Sequence, residues 1–582
     1  MVSLLPRHAP ASKVLPCPAK SVTYVLPPPS ICAICGQTRE RTSLPKWTLR
    51  RIVYKIYAMK VCTSADARRL DQAVILDYGI DQALLMENAA IAARRTIEQR
   101  WGVKNKTILI ACGMGSNGGD GFALARLLHA KGAGVSVLTA GDTGRLSGSS
   151  KSNYKSILHL PIKIWNLGKS PETAIPSGLD FSRFNLIVDA IFGTGLSRSI
   201  DGSIAALIAG INASGTPVLA MDIPSGIGAD TGEVLGSAIK ADASVCFGML
   251  KRGNLLYPGH QYGGSLYFSE ISFPPEVTED DSVHLTLNIP PPLSMRNPAG
   301  HKGFFGKVFI IGGSMQYRGA PTLAAFAALR TGAGYAFLAI PAAIAGPVFS
   351  LIPEAVLLPL SGSGILMSDH TSTILDRASR ADATVLGPGL GASLESTHLV
   401  RNLIQEVQGP LVLDGDGLIA LAGKEELSRN REFPTILTPH PGEMARLLGS
   451  SIGEVEIRRV ETAAEAAERY QAIVVLKGAH SIISLPSGQS WINLSGNCGM
   501  GTAGSGDVLA GIIGALIAGG GKPEDAVRQG VYIHGLAGDI SAGIKGEGGM
   551  LARDIVECIP EALRILPEQL AKNPDCDKIT YI

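Results

Sequence analysis

The 582-residue chain lacks most of what marks a specialised protein. Nine cysteines, irregularly spaced, are too few for a disulfide framework and read as buried, reduced thiols of a cytoplasmic protein. Cys32 and Cys35 form the one close pair. No second pair or histidine cluster accompanies them, so they make a weak zinc site. Aromatics are 5% of residues and the formal net charge is only +2, which excludes a surface built for nucleic acid. Long uninterrupted apolar runs are also missing. Residues 331–353 carry no charge and have the length of a membrane span. However, Gly332, Gly334, Pro341, Gly346 and Pro347 break them repeatedly. That stretch reads as a buried strand with turns, and no membrane association is expected.

What the chain has is glycine (69 residues) and hydrophobic residues (46%), enough for more than one core. Its charge is uneven. Residues 1–58 hold nine Lys/Arg against Glu40 alone, which leaves 43 basic and 49 acidic residues in the remainder. With eight prolines and no apolar leader, 1–58 reads as a disordered extension, a transit segment, or residues upstream of a start at Met59. From Thr107 onward, short apolar runs alternate with amphipathic stretches: TILIAC, NLIVDA, PVLAMDI and ADASVCFG. After a polar, proline-punctuated boundary the cadence restarts with KVFIIGG, YAFLAI, ATVLGPG, PLVLDGDG, TILTPHPGE and AIVVLKGAH. Such βαβ repetition predicts two doubly wound α/β domains, each with a mostly parallel sheet. The boundaries are an N-terminal domain at 59–280, a linker at 281–296 and a C-terminal domain at 297–570.

In open α/β sheets, ligands bind at the carboxyl ends of the strands. In the first domain those ends carry Ser116-Asn117-Gly118-Gly119-Asp120, expected as a loop before a helix starting near Phe122. They also carry Asp189, followed by the second glycine loop Gly193-Thr194-Gly195-Leu196-Ser197-Arg198-Ser199, and Asp222, followed by Pro224-Ser225. Backbone amides among small residues can approach a phosphate or ribose. Converging acids can hold a cation through oxygen or move a proton. Helix capping by Asn117 and Asp120 is the plainer alternative. In the second domain, Gly504-Ser505-Gly506-Asp507 opens an apolar helix, so several N–H groups and the helix dipole aim at one point, an anion site with a carboxylate at its lip. Lys477-Gly478-Ala479-His480-Ser481, His440 between two prolines, Asp414-Gly415-Asp416 and Gly387-Pro388-Gly389 end neighbouring strands.

SNGGDG, VDAIFGTGLSR and MDIPSG together resemble the YjeF N-terminal family of NAD(P)H-hydrate epimerases. The Rossmann-like sheet of that family is therefore expected here. The resemblance implies that Ser116 to Asp120, Gly193 to Ser199 and Asp222 contact the hydrate. It also implies that Asn117, Asp189 and Ser225 ligate K+. Asp189 is the candidate acid/base. Lys251 falls where the family has a lysine, with a surface role as the alternative. HKGFFGKVFIIGGS, GPGLG, TPHPGEMARL, LKGAHS and GSGD resemble the ribokinase-like NAD(P)H-hydrate dehydratases. That resemblance implies Asp507 as the catalytic residue, contacting the hydrate together with Ala320, Gly389 and His440. It places the adenine nucleotide on Lys477, Gly478, Ala479, His480, Ser481 and Gly506, while the acids Asp414 and Asp416 suit Mg2+ or hydroxyl contacts. Ser505 stands where that family usually has Thr.

The whole resembles bifunctional repair enzymes that epimerise NADHX and NADPHX and dehydrate the S form, with ADP as the phosphoryl donor. A cytoplasmic homo-oligomer is the corresponding expectation. The rival is a ribokinase-like kinase of a vitamin precursor carrying a non-catalytic N-terminal binding module.

Overall fold

The computed structural model describes residues 59–168, 174–362, 364–572 and 579–582. The extension 1–58, with Cys32 and Cys35, lies outside them.

Two large sheets organise the chain, each built from buried, β-branched runs of the kind that pair in parallel. The first has eight strands. Its order runs Ile579–Tyr581, Ser265–Ser269, Ala243–Phe247, Val218–Met221, Leu186–Ala190, Thr107–Cys112, Gly134–Thr139 and Lys163–Asn166, all parallel. Strand Thr107–Cys112 comes first in sequence yet lies between Gly134–Thr139 and Leu186–Ala190. Connections therefore leave it in both directions, and a crevice opens at its carboxyl end.

The second sheet has ten strands. Lys307–Ile311 lies between Tyr335–Pro341 and Ala383–Leu386, which repeats the switch-point geometry. Leu411–Leu413, Thr435–Leu437 and Ile473–Leu476 continue the parallel set, and Ile482–Ser484 then turns antiparallel. Inside the stretch expected as linker, Leu285–Leu287 is a strand, paired in parallel with Ser490–Ile492. Its HLTLNI sequence buries all three strand residues against the second core.

Helix Ser505–Ala518 crosses the middle of the second sheet, and small residues let it come close. A Cβ on Gly514 would sit 2.7 Å from Val385 in the sheet, and one on Gly511 would sit 2.1 Å from the Ala324 carbonyl oxygen of the neighbouring helix Gly319–Thr331. The uncharged stretch at 331–353 forms strand Tyr335–Pro341 and helix Ala345–Leu351. Among the described residues no helix is long and apolar enough to cross a membrane.

The two halves share a core. Val61, Leu250, Leu255 and Phe268 belong to the same buried cluster as Leu411, Leu437 and Leu476. The last strand of the chain, Ile579–Tyr581, returns to the edge of the first sheet.

Candidate active sites

The first site forms where Thr107–Cys112, Leu186–Ala190 and Val218–Met221 end side by side. The SNGGDG segment is not a loop: helix Ser116–Ala130 begins at Ser116, with Gly115 as its N-cap and no side-chain capping bond. Asn117 and Asp120 are therefore inside the first turns, where neither caps. Packing explains why glycines start a helix here despite poor propensity. A Cβ on Gly118 would lie 1.9 Å from the Gly113 carbonyl oxygen, and one on Gly119 would lie 2.3 Å from the Ser150 hydroxyl. The helix N-terminus is thereby drawn onto the strand ends, with its free N–H groups facing the crevice.

Asp189 ends its strand fully buried. Its two carboxylate oxygens accept from the Ser225 amide (2.7 Å), the Ser225 hydroxyl (2.6 Å) and the Ile191 amide (3.2 Å). Burial pushes its pKa up to about 6 while those bonds pull it back. Ser225 also accepts from the Phe192 amide at 2.8 Å, which ties the glycine loop to Asp189. Asn117 donates to the Phe192 carbonyl at 3.0 Å, and its own Oδ1 is buried without a hydrogen-bond partner. An orphaned amide oxygen beside a buried carboxylate and a hydroxyl is a donor set suited to a hard monovalent cation. Gly193 approaches both Asn117 and Asp222, so the three motifs do converge.

Asp222 sits at φ +69°, a conformation that turns its side chain back into the crevice. Lys251 is 4% exposed, which rules out the surface role. Its ammonium donates to Asp222 Oδ1 at 2.5 Å and to the Phe247 carbonyl at 2.6 Å. Asp120 lies beside this pair, and burial first, then Asp222, holds its carboxyl well above the usual range. Asp71, from helix Ser64–Leu76, is not legible in the sequence because it belongs to no motif. It stands at the rim, open to solvent on one side, yet the protein crowding it pushes its carboxyl up to about 6.

The second site gathers around the N-terminus of helix Ser505–Ala518. Gly504, at φ +93°, caps it, and Asp507 lies in its first turn. Lys477 donates to Asp414 Oδ1 at 2.7 Å and stands 3.7 Å from Glu443. Thr438 donates to the same Asp414 oxygen at 2.7 Å, and Asp416 accepts from the Gly391 amide at 2.8 Å. Burial raises Asp507 to about 7, helped by the charge of Asp414 and opposed by Lys477. Gly506 lies close to the lysine, since a Cβ there would meet the Lys477 ammonium at 3.0 Å. Gly389, at φ +64°, packs where a Cβ would touch Tyr317 and Ala320, so the expected contacts Gly389 and Ala320 adjoin. His440 also has a structural task. It caps helix Pro441–Leu448, with Nδ1 accepting from the Gly442 and Glu443 amides. Ser505 bonds the half-buried imidazole of His534 at 3.3 Å, and desolvation lowers that histidine to about 4.

Lys477 to Ser481, His440 and Gly506 line one cavity of about 630 Å³, sized for a nucleotide. Two α/β sheets, each with acids and small-residue loops at its switch point, define a protein with two nucleotide-type sites.

A family model described as NAD(P)H-hydrate dehydratase matches residues 308–561. Another, described as YjeF-related protein N-terminus, matches 82–253. A bifunctional NAD(P)H-hydrate repair enzyme from Thermofilum pendens is 42% identical over 512 residues, covering 88% of this chain and 97% of that one. One from Moorella thermoacetica is 38% identical, covering 88% and 98%. A solved structure, an ADP/ATP-dependent NAD(P)H-hydrate dehydratase from Bacillus subtilis, is 28% identical, with a TM-score of 0.41. It aligns with 48% of this chain and 95% of its own. The chain belongs to the family of bifunctional NAD(P)H-hydrate repair enzymes.

Proposed function

We propose that the chain repairs hydrated nicotinamide nucleotides in two steps, with the epimerase at residues 59–280 and the dehydratase at 297–570. The observation that carries this reading is the pair of complete sites in one polypeptide: the Asn117–Asp189–Ser225 cluster and the Asp507–Lys477–Asp414 cluster. In the second site the C6 hydroxyl of the S hydrate attacks the terminal phosphorus of ADP. Asp507 takes the hydroxyl proton, and AMP leaves. The phosphorylated oxygen then departs as phosphate, expelled by the ring nitrogen lone pair. Loss of the C5 proton restores the C5–C6 double bond. The helix N-terminus at Gly506 and the Lys477 ammonium hold the phosphates while charge moves between them. Asp507 feels the charges of Asp414, Asp416 and Glu443, an acid-rich setting in which Asp414 and Asp416 would hold Mg2+, which when bound would supply positive charge for the nucleotide phosphates.

In the first site, Asn117, Asp189 and Ser225 would hold K+, which when bound would supply fixed positive charge to the crevice. The amides of Ser116 to Gly119 and the loop Gly193 to Ser199 grip the hydrate, Asp222 orients it, and Asp189 serves as acid/base. A kinase would instead leave a stable phosphorylated product. We place the protein in the cytoplasm as a homo-oligomer.

The test is recovery of 340 nm absorbance from mixed NADHX epimers, with ADP and then ATP as donor. Complete recovery supports both activities, and the faster donor identifies the phosphoryl source. A halt once the S form is consumed removes the epimerase assignment. No recovery with either donor returns the second site to the kinases.

A further inference from the structure

The wall of the nucleotide cavity contains one residue from the other half of the chain. Tyr257 lies in the connection between the parallel strands Ala243–Phe247 and Ser265–Ser269 of the first domain, yet it lines the cavity with Lys477, Ser505 and Gly506. It arrives there on a rigid segment. Lys251 anchors one end to Asp222, and the Asn254 side chain donates to the Asp222 carbonyl at 3.1 Å. Gly253 and Gly259 fit where no side chain would: a Cβ on either would come within 2.3 Å of a carbonyl oxygen. The other end clasps the second half. The Leu255 carbonyl receives the His480 Nδ1–H at 2.5 Å, and since a carbonyl only accepts, that tautomer is fixed. His480 is 6% exposed and held at φ +56°, and its ring meets His260 and Tyr257 at centroid distances of 4.5 and 5.2 Å. Arg252 pairs with Glu461 across the same boundary.

His480 is thus fixed by the N-terminal half in the middle of the Lys477–Ser481 loop. Tyr257 is 44% exposed, a large fraction for an aromatic ring held in such a frame, and its open face is toward the cavity. Cys498, hydrogen-bonded to Glu547, lines the same cavity, and burial is the first cause that raises the Tyr257 phenol.

We propose that Tyr257 is a nucleotide-contacting residue of the dehydratase site, so that the site is composite and its affinity for a purine nucleoside diphosphate depends on the epimerase half. This rests on the reading of the cavity as the nucleotide site. The ring supplies a flat, half-desolvated face, of the kind that stacks on a purine or packs on its ribose.

The test uses the full chain and titrates ADP calorimetrically against wild type, Y257F and Y257A, with the KM for ADP measured in parallel. In Y257A the Kd and KM for ADP rise about tenfold, the order expected for loss of one stacked aromatic. Its kcat at saturating ADP stays within about threefold. Y257F keeps the ring and stays near wild type. Epimerisation rate reports that Y257A is folded and that its first site is intact. ADP binding by wild type with equal affinity in Y257A overturns the proposal while leaving the cavity assignment standing. Failure of wild type to bind ADP or ATP, or loss of kcat without change in KM, overturns it as well. The first of those outcomes also removes the nucleotide reading.

Discussion

Gly118→Ala is the sharpest test of how the first site is built. The added carbon would lie 1.9 Å from the Gly113 carbonyl oxygen and 2.6 Å from its carbon, where an ordinary contact is roughly 3.5 Å. Either the helix or the loop must move by more than an ångström. Gly113 cannot retreat easily, since its amide bonds the Ala190 carbonyl at 2.9 Å and it packs directly on Ile191. Two effects oppose each other. Alanine improves helix propensity by about 1 kcal/mol, while overpacking against backbone costs about 3 kcal/mol at the upper end of its range. The clash wins, for a net loss of about 2 kcal/mol. A shift of that size at a ligand-gripping helix terminus lowers the epimerisation rate on the order of 100-fold. Gly115→Ala is the matched control. Nothing lies within 4 Å of its Cβ and its φ is −93°, so only a helix-cap preference of about 1 kcal/mol or less is lost. The assay follows 340 nm recovery from an epimer mixture with excess donor. In Gly118→Ala the fast S phase keeps its rate and the R phase collapses to the spontaneous one. An R phase at wild-type speed refutes the claim that close approach positions this helix.

Asp507→Asn lowers dehydration by about 10²- to 10⁴-fold without slowing epimerisation, measured with pure S and R hydrate separately. Because Asp507 must be ionised to accept a proton and its pKa is raised to about 7, dehydratase kcat/KM falls as pH drops through about 7 and reaches a plateau above it. A profile flat from pH 5.5 to 8.5 removes it as the base. Asn117→Leu replaces the one orphaned amide oxygen of the first site with carbon, so epimerisation loses its dependence on added KCl at constant ionic strength. Potassium activation equal to wild type would place the cation elsewhere.

Much of this architecture is legible in the sequence because parallel, doubly buried strands leave a plain trace: short apolar runs ended by Gly, Asp or His. NLIVDA, PVLAMDI and AIVVLKGAH fall on strands Leu186–Ala190, Val218–Met221 and Ile473–Leu476, and their last residues reach the two crevices. The failures have physical causes. SNGGDG reads as a loop because propensity is local, whereas the reason for its glycines, contact with Gly113 and Ser150, is not. Strand Leu285–Leu287 hides among prolines, although the alternation of its neighbours is visible. Lys251 is buried only because Asp222 is there to meet it, a partner 29 positions away. Tyr257 carries no signal at all, since its surroundings come from the other half of the chain.

The two sites, on unrelated sheets, solve one electrostatic problem in the same way. Each buries a lysine against an aspartate, Lys251 on Asp222 at 2.5 Å and Lys477 on Asp414 at 2.7 Å. Such a pair offsets its desolvation only with good geometry and further bonds, which the Phe247 carbonyl and amide supply in one case and Thr438 in the other. With that aspartate committed to its lysine, the neighbouring acid is left without a cation of its own. Asp120 and Asp507 are accordingly both raised, first by burial and next by the paired aspartate, with the lysine pulling weakly the other way. In each site burial and the paired aspartate favour the neutral form of the next carboxylate, Asp120 or Asp507, an effect set by environment. Substrate phosphates entering each crevice as proposed would meet a lysine partly offset by its aspartate, so the helix N-termini at Ser116 and Ser505 would share the anion recognition with it.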